Sequence, residues 1–217
     1  MNIEQARFNM IEQQIRPWDV LDTDILDLLM VVKRENFVPE AYKNLAFVDT
    51  EIPLAGGAAM LTPKLEARIV QDAGVKKHEN VLLVGAGTGY VAALLAHRAL
   101  QVTAIEIDPA LKAQAEKNLS ANGVSNVRVE LGNGAQGWAN GAPYDVIVFT
   151  GALPVLPEGV LQQVKAGGRI LAIIGESPVM SAHLITRTGD SSYDTKKLFE
   201  TDVKPLAAAV TPSHFTF

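Results

Sequence analysis

The sequence predicts a doubly wound α/β fold, in which helices cover both faces of a mostly parallel sheet. From residue 80 onward, short apolar runs alternate with helical segments, and the runs are apolar throughout, as buried parallel strands are. The first run, VLLVGA, continues into a glycine-rich turn and a helix, a junction typical of this fold. A chain of 217 residues is long enough for one such domain.

Predicted strands and helices alternate along the second half of the chain. The strands are VLLVGA, VTAIEI, VRVEL, DVIVF and RILAIIG, and the helices are YVAALLAHRAL, DPALKAQAEKNL and residues 157–164. Asp108 and Pro109 mark the start of the second helix. The segment HLITRTGDSSYDTKKLFETDV predicts two strands around a Gly-Asp-Ser-Ser turn, which would add an antiparallel hairpin at the sheet edge.

Two helices are predicted before the sheet. Their apolar residues follow helical spacing: Phe8, Ile11 and Ile15 in the first, and Ile25, Leu28, Leu29 and Val32 in the second. Asp22 is a good N-cap for the second helix. Residues 35–57 contain several prolines and glycines and predict a loop with short turns. A further helix is predicted from Thr62 and Pro63 to about Asp72.

The composition excludes several classes of protein. Without cysteine there are no disulfides, thiolate zinc sites or cysteine nucleophiles. No signal-peptide core and no apolar run of about 18 residues occur, which predicts a cytoplasmic protein that does not enter a membrane. The net charge of −5 argues against nucleic-acid binding. No metal site is predicted, because the four histidines, His78, His97, His183 and His214, lack ligand spacing.

The glycine-rich turn VGAGTGY predicts a nucleotide-binding loop. Gly85, Gly87 and Gly89 allow a tight turn and a close approach of a ligand to the backbone at a helix start. Glu106 ends the next predicted strand, where a carboxylate accepts hydrogen bonds from ribose hydroxyls. These features predict an adenosine-containing ligand and leave both NAD and S-adenosylmethionine open.

Further motifs make the chain resemble the protein-L-isoaspartate O-methyltransferases from about Met10 to Leu206. The motifs, in order, are EQQIR, NFVPEAY, VGAGTGY, GNGAQGW, TGALPVLP and LFETDVKPL. Their order and spacing over nearly the whole chain make the resemblance specific. It implies a Rossmann-like methyltransferase domain over residues 1–217, with an N-terminal helical and acceptor-loop segment at 1–75, a cofactor-binding core at 76–206 and a tail at 207–217.

The resemblance also implies the cofactor and its contacts. S-adenosylmethionine would be contacted by Gly85, Ala86, Gly87, Thr88, Gly89, Glu106, Ile107, Asn133, Gly134 and Thr150. Asn133 stands where the family usually has aspartate, which keeps an acceptor oxygen and removes a charge. We expect adenine binding to survive this change with altered affinity.

The acceptor loop departs further from the family. The family pattern G-Q-T-I-S-Q-P aligns with residues 57–63, which places Gly57 at its glycine and Met60 at its isoleucine. Ala59 replaces the threonine and Leu61 replaces the serine, and neither side chain can donate a hydrogen bond to a carboxylate. Thr62 is the one hydroxyl left in this stretch, and it is either the catalytic hydroxyl or only the cap of the following helix.

The predicted activity is methyl transfer to a carboxylate on a protein or peptide. An alternative is a family member that binds the cofactor but does not repair isoaspartyl residues, because its acceptor loop has lost its hydroxyls. An NAD-dependent oxidoreductase is a weaker alternative, since no tyrosine and lysine lie four residues apart near the site. In the tail, Phe215 and Phe217 are expected to pack on the sheet edge.

Overall fold

The computed structural model describes residues 2–210, so the predicted packing of Phe215 and Phe217 lies outside the described residues. The helices are α1 (Ile3–Met10), α2 (Thr23–Val31), α3 (Pro63–Ala73), α4 (Tyr90–Ala96), α5 (Pro109–Ala121) and α6 (Glu158–Leu161). The strands are β1 (Ile52–Pro53), β2 (Ala59–Met60), β3 (Asn80–Val84), β4 (Gln101–Glu106), β5 (Val127–Leu131), β6 (Tyr144–Leu153), β7 (Val164–Glu176), β8 (Val179–Arg187) and β9 (Tyr193–Thr201).

The main sheet has seven strands in the order β5-β4-β3-β6-β7-β8-β9. Strands β3 to β7 run parallel, whereas β7 with β8 and β8 with β9 pair antiparallel. This arrangement confirms the predicted doubly wound α/β sheet and its antiparallel C-terminal hairpin.

The central strands are buried on both faces, which explains why their sequences are apolar throughout. In β3, Val81 and Leu83 belong to one hydrophobic core, and Leu82 and Val84 belong to the other. Helices α1 to α5 contribute to the first core, while α6 contributes to the second. The pattern is the one expected for a sheet between two packed layers.

Helix α6 is shorter than predicted. The sequence predicted a helix over residues 157–164, but α6 ends at Leu161 and Val164 already begins β7. Val164 pairs with Tyr144 of β6, and both side chains are buried. Burial between strands therefore overrides the helical spacing.

The first helix buries a different face from the predicted one. Phe8 is 49% exposed, whereas Arg7 and Met10 are buried together with Ile11 and Ile15. The backbone forms a π-helical turn over Ile11–Ile15 directly after α1. Phe8 and Ile11 are still joined by regular helix before this turn, but Arg7 takes the core side of α1, where its guanidinium pairs with Glu35. In α2, by contrast, the predicted N-cap is confirmed, because Asp22 accepts a hydrogen bond from the Asp24 amide.

Residues 35–57 form short turns, as predicted, and also a small ladder. Strand β1 pairs antiparallel with β2, with Ile52 opposite Met60 and Pro53 opposite Ala59. This pairing closes residues 54–58 into a turn in front of α3.

A buried ion pair attaches this turn region to the rest of the structure. Arg34 is 1% exposed, and its Nε donates to Glu66 of α3 at 2.7 Å. The other two nitrogens of the guanidinium donate to the carbonyl oxygens of Ala46, at 2.7 Å, and Leu61, at 2.8 Å. Removing one partner of such a buried pair typically destabilises a protein by about 3–5 kcal/mol. Arg34 therefore fixes the backbone at Leu61.

Glu66 is expected to make stability depend on pH near neutrality. Burial raises the pKa of Glu66 from an ordinary value of 4.5 to about 7, although Arg34 acts to lower it. A carboxyl whose pKa is higher in the folded state stabilises most below its unfolded pKa, and this contribution is lost as pH rises through the folded pKa. The melting temperature of the parent, compared with that of Glu66→Gln, should therefore fall as the pH rises from about 5 to about 8.

The measurement is thermal unfolding of both proteins across this pH range. Glu116→Gln, on the exposed side of α5, is the matched control. A constant difference between the parent and Glu66→Gln would mean that Arg34 keeps Glu66 ionised throughout.

Candidate active site

The candidate site is a cavity at the carboxyl ends of the parallel strands. Strand β3 lies between β4 and β6, so the chain leaves β3 in one direction along the sheet and returns to its other side with β6. Such a reversal of strand order opens a crevice in which α/β proteins bind ligands. The cavity is lined from β3 by Val84, from the end of β4 by Glu106, from the turn after β5 by Asn133 and from β6 by Thr150.

The glycine-rich turn after β3 is tied to β4. The amides of Gly85 and Ala86 donate to the Ile105 carbonyl at 3.0 and 3.1 Å. Gly85 and Gly87 adopt positive φ angles of 91° and 53°, and both line the cavity. A side chain would be strained at these positions, so the backbone is the surface that a ligand meets.

Gly89 serves helix packing and does not line the cavity. It is the N-cap of α4, and a Cβ built on it would lie 3.2 Å from Leu119 and 3.3 Å from the Ala115 carbonyl of α5. The third glycine of the turn therefore lets α4 and α5 approach closely.

Glu106 lies at the centre of the site. The side chain is 6% exposed and lines the cavity, so it is not a solvated acid at a strand end. One carboxylate oxygen accepts from the Gly87 amide at 2.8 Å, and the other accepts from the Ile107 and Asp108 amides at 2.9 and 3.1 Å. These bonds fix the carboxylate and join the end of β4 to the glycine-rich turn.

The turn after β5 forms another wall. The side-chain oxygen of Asn133 accepts from the Ala135 amide at 3.0 Å, so it stabilises the turn. Its amide nitrogen donates no hydrogen bond within residues 2–210 and is available to a ligand. Gly134 is closely packed, because a Cβ there would lie 2.8 Å from Val84 and 3.1 Å from Ile105.

Other predicted cofactor residues lie in two layers. Ile107 and Thr150 line the cavity, and the Thr150 hydroxyl lies 2.6 Å from the Gly85 carbonyl and 3.0 Å from that of Val84. Ala86 and Thr88 are buried behind the lining, with the Thr88 hydroxyl against the Met60 sulfur at 3.7 Å.

The acceptor loop reaches the same cavity only in part. Gly57, Ala59 and Leu61 line it, and Leu61 is 6% exposed. Met60 and Thr62 do not line it. Thr62 occupies the N-cap position of α3, but its side chain makes no capping hydrogen bond, so the capping role expected of its hydroxyl is absent. The structure therefore brings an apolar wall, and not the Thr62 hydroxyl, to the predicted cofactor residues.

The sequence analysis missed residues from two other segments. Glu51 precedes β1, and Lys204, Pro205 and Leu206 follow β9, yet all four line the cavity. The Lys204 ammonium donates to the Gly57 carbonyl at 2.9 Å. The motif LFETDVKPL contains three of these residues, but its spacing gives no sign of which strand end it approaches.

Membrane-spanning helices and metal-binding clusters are absent from residues 2–210. None of the helices there is long and apolar enough to cross a lipid bilayer. In the same range, no group of three or more His, Cys, Asp or Glu side chains could hold a metal ion.

Similar proteins share both sequence and fold with this chain. Residues 5–210 match the family model Protein-L-isoaspartate(D-aspartate) O-methyltransferase. Protein-L-isoaspartate O-methyltransferase 2 of Marinobacter nauticus is 34% identical over 206 residues, which cover 94% of each chain.

Two solved structures resemble the fold. A protein-L-isoaspartate O-methyltransferase superposes with a TM-score of 0.80 at 24% identity, covering 95% of this chain and 66% of that one. A beta-aspartate methyltransferase from Plasmodium falciparum, in complex with S-adenosyl-L-homocysteine, has a TM-score of 0.78 at 17% identity, with 93% and 98% coverage. The family match over residues 5–210, with 34% identity to a full-length relative, shows that this chain belongs to the protein-L-isoaspartate (D-aspartate) O-methyltransferase family and is an S-adenosylmethionine-dependent O-methyltransferase.

Proposed function

We propose that this protein methylates the free α-carboxylate of isoaspartyl residues in proteins and peptides. The observation that carries the proposal is one cavity lined by both the predicted cofactor residues and the acceptor loop. Glu106 and Asn133 line one part, and Ala59 and Leu61 line another. Donor and acceptor can therefore meet without a large movement of the chain. The similarity to the Marinobacter enzyme supports the same acceptor class.

The residues of the donor half fit S-adenosylmethionine. The buried Glu106 carboxylate is already oriented by three backbone amides and can accept further hydrogen bonds from ribose hydroxyls. The free amide nitrogen of Asn133 can donate to an acceptor nitrogen of adenine. Gly85 and Gly87 expose backbone to the ligand. When bound, S-adenosylmethionine supplies a methyl group activated by its sulfonium.

The acceptor half needs little chemistry from the protein. A carboxylate with a pKa of about 4 is ionised at neutral pH, so no general base is required. The chain must instead orient the carboxylate and exclude water, and poor orientation can cost about a hundredfold in rate. The apolar side chains of Ala59 and Leu61 exclude water but cannot donate hydrogen bonds.

A second candidate function is cofactor binding without isoaspartyl repair. It is favoured by the absence of any side-chain hydroxyl among residues 57–61, and by the position of Thr62 outside the cavity lining. Both candidates keep the donor half intact, so only an acceptor assay separates them.

The acceptor loop can be tested by restoring its hydroxyl. Leu61→Ser should raise kcat/KM for an isoaspartyl peptide by roughly tenfold, because a hydrogen bond to a charged group contributes about 1.5–3 kcal/mol. The measurement is methyl transfer to an isoaspartyl peptide and to its normal aspartyl counterpart. Leu61→Ala is the matched control, since it removes similar apolar volume without adding a hydroxyl.

Affinity for S-adenosylhomocysteine should stay the same in both variants, because Arg34 holds the backbone of residue 61. Ala59→Thr can be added as a second step. Robust parental activity that neither variant changes would show that another segment orients the acceptor. Complete lack of methyl transfer in the parent and in Leu61→Ser would favour the second candidate function.

The donor half can be tested at Glu106. Glu106→Gln should weaken S-adenosylhomocysteine binding tenfold or more, because it removes charge-assisted bonds to the ribose and places an amide group against backbone donors. Calorimetry with S-adenosylhomocysteine and with NAD provides the measurement, and NAD should not bind the parent. Glu130→Gln, at the end of β5 outside the cavity, is the control. Unchanged affinity in a folded Glu106→Gln protein would contradict this role.

A further inference from the structure

Lys204 brings a positive charge to an otherwise acidic cavity. It is the one cationic side chain among the described residues that line the cavity, while Glu51 and Glu106 are acidic. An acceptor carboxylate that entered beside two carboxylates alone would be repelled, and a nearby ammonium offsets that repulsion. The charge is thus of the sign that an anionic acceptor requires.

The backbone on either side of Lys204 is fixed to the end of β6. The Ala152 amide donates to the Lys204 carbonyl at 3.0 Å, and the Leu206 amide donates to the Ala152 carbonyl at 2.9 Å. Leu206 also packs over Gly151, where a Cβ would lie 2.9 Å from its side chain. Lys204 therefore projects from a backbone segment that is fixed at the end of β6.

The ammonium itself is held next to the acceptor loop and retains free donors. It donates one hydrogen bond to the Gly57 carbonyl at 2.9 Å. No carboxylate among residues 2–210 lies within ion-pair distance of it. Because a lysine ammonium has three N–H donors, it can still bind a carboxylate without breaking an ion pair.

Lys204 also lies where the site opens toward a larger groove. A second cavity of about 750 Å³ shares Glu51, Lys204, Pro205 and Leu206 with the first. It extends toward the β7–β8 turn, where the Ser177 hydroxyl donates to Asp202 at 2.9 Å. If a polypeptide lies in this groove, the free α-carboxylate of its isoaspartyl residue lies next to Lys204 when it points toward the donor half.

We infer that Lys204 binds the acceptor carboxylate and determines the preference for an anionic acceptor, in place of the hydroxyls absent at Ala59 and Leu61. The inference rests on the proposed function. The ammonium supplies charge-assisted hydrogen bonds to the carboxylate from the rim, while the apolar loop walls exclude water behind it. Affinity for the acceptor should therefore depend on charge and fall with rising salt.

Lys204→Met tests the inference, because methionine keeps an unbranched side chain and removes the charge. Binding of an isoaspartyl peptide to the protein saturated with S-adenosylhomocysteine should weaken about tenfold, with a matching rise in KM for methyl transfer. Lys204→Arg should retain most of the affinity. Lys196→Met is the matched control, since Lys196 lies on β9, outside both cavities, and its loss changes the net charge equally.

Two further measurements separate this role from others. The same peptide with its α-carboxylate converted to a carboxamide should bind the parent and Lys204→Met equally weakly. S-adenosylhomocysteine affinity should be the same in the parent and in every variant, within about twofold. A loss of S-adenosylhomocysteine affinity in Lys204→Met would overturn the inference, because the ammonium would then serve the donor.

The inference and the proposed function can fail separately. If the parent methylates isoaspartyl peptides and Lys204→Met binds and methylates them equally well, the inference is wrong and the proposed function stands. If the parent neither binds nor methylates the isoaspartyl peptide while binding S-adenosylhomocysteine, both are wrong.

Discussion

The position of β3 between β4 and β6 is the constraint on which the site depends. Strands β4 and β5, which follow β3 in the chain, lie on one side of it in the sheet, and β6 and β7 lie on the other side. The crevice that results is held by polar contacts between strand ends. The Glu106 carboxylate, at the end of β4, accepts a hydrogen bond from the Gly87 amide. The Thr150 hydroxyl, on β6, contacts the Val84 carbonyl at the end of β3. The donor half is therefore organised before any ligand enters, which lowers the entropic cost of binding.

The acceptor half has a different physical basis. Its loop has only two short strands and a single 3-10 turn of regular structure, and a buried guanidinium holds its backbone in place. Arg34 bonds to α3 through Glu66 and to the loop through the Leu61 carbonyl. The main-chain position of residue 61 therefore does not depend on its side chain. Divergence at Ala59 and Leu61 can change the chemistry of the loop without displacing it.

Local patterns predicted those parts of the site that depend on neighbouring residues. The glycine-rich turn and Glu106 could be predicted to lie together because a strand, a turn and a helix follow one another, and the next strand pairs beside them. Gly89 belongs to the same glycine-rich turn as Gly85, but its role is determined by contacts with α5. Helix α4 and strand β4 lie between Gly89 and α5 in the sequence, so local patterns do not show these contacts. The exposure of Phe8 was likewise unpredictable, because the core side of α1 is taken by Arg7, and its partner Glu35 is distant in the sequence. Lys204 was missed for a stronger reason, since its partner Gly57 is 147 residues away.

The cavity is lined by residues from Glu51 to Ala207, so its lining is complete only when nearly the whole chain has been synthesised. The cavity wall formed by Pro205 and Leu206 docks on β6 through the Ala152 backbone, and in the sequence it follows the hairpin of β8 and β9. A nascent chain that ends before this segment has the glycine-rich turn and Glu106 but lacks one side of the crevice. This wall is therefore the last part of the cavity lining to be synthesised. A ribosome-bound chain thus has an incomplete crevice until this segment has left the ribosome.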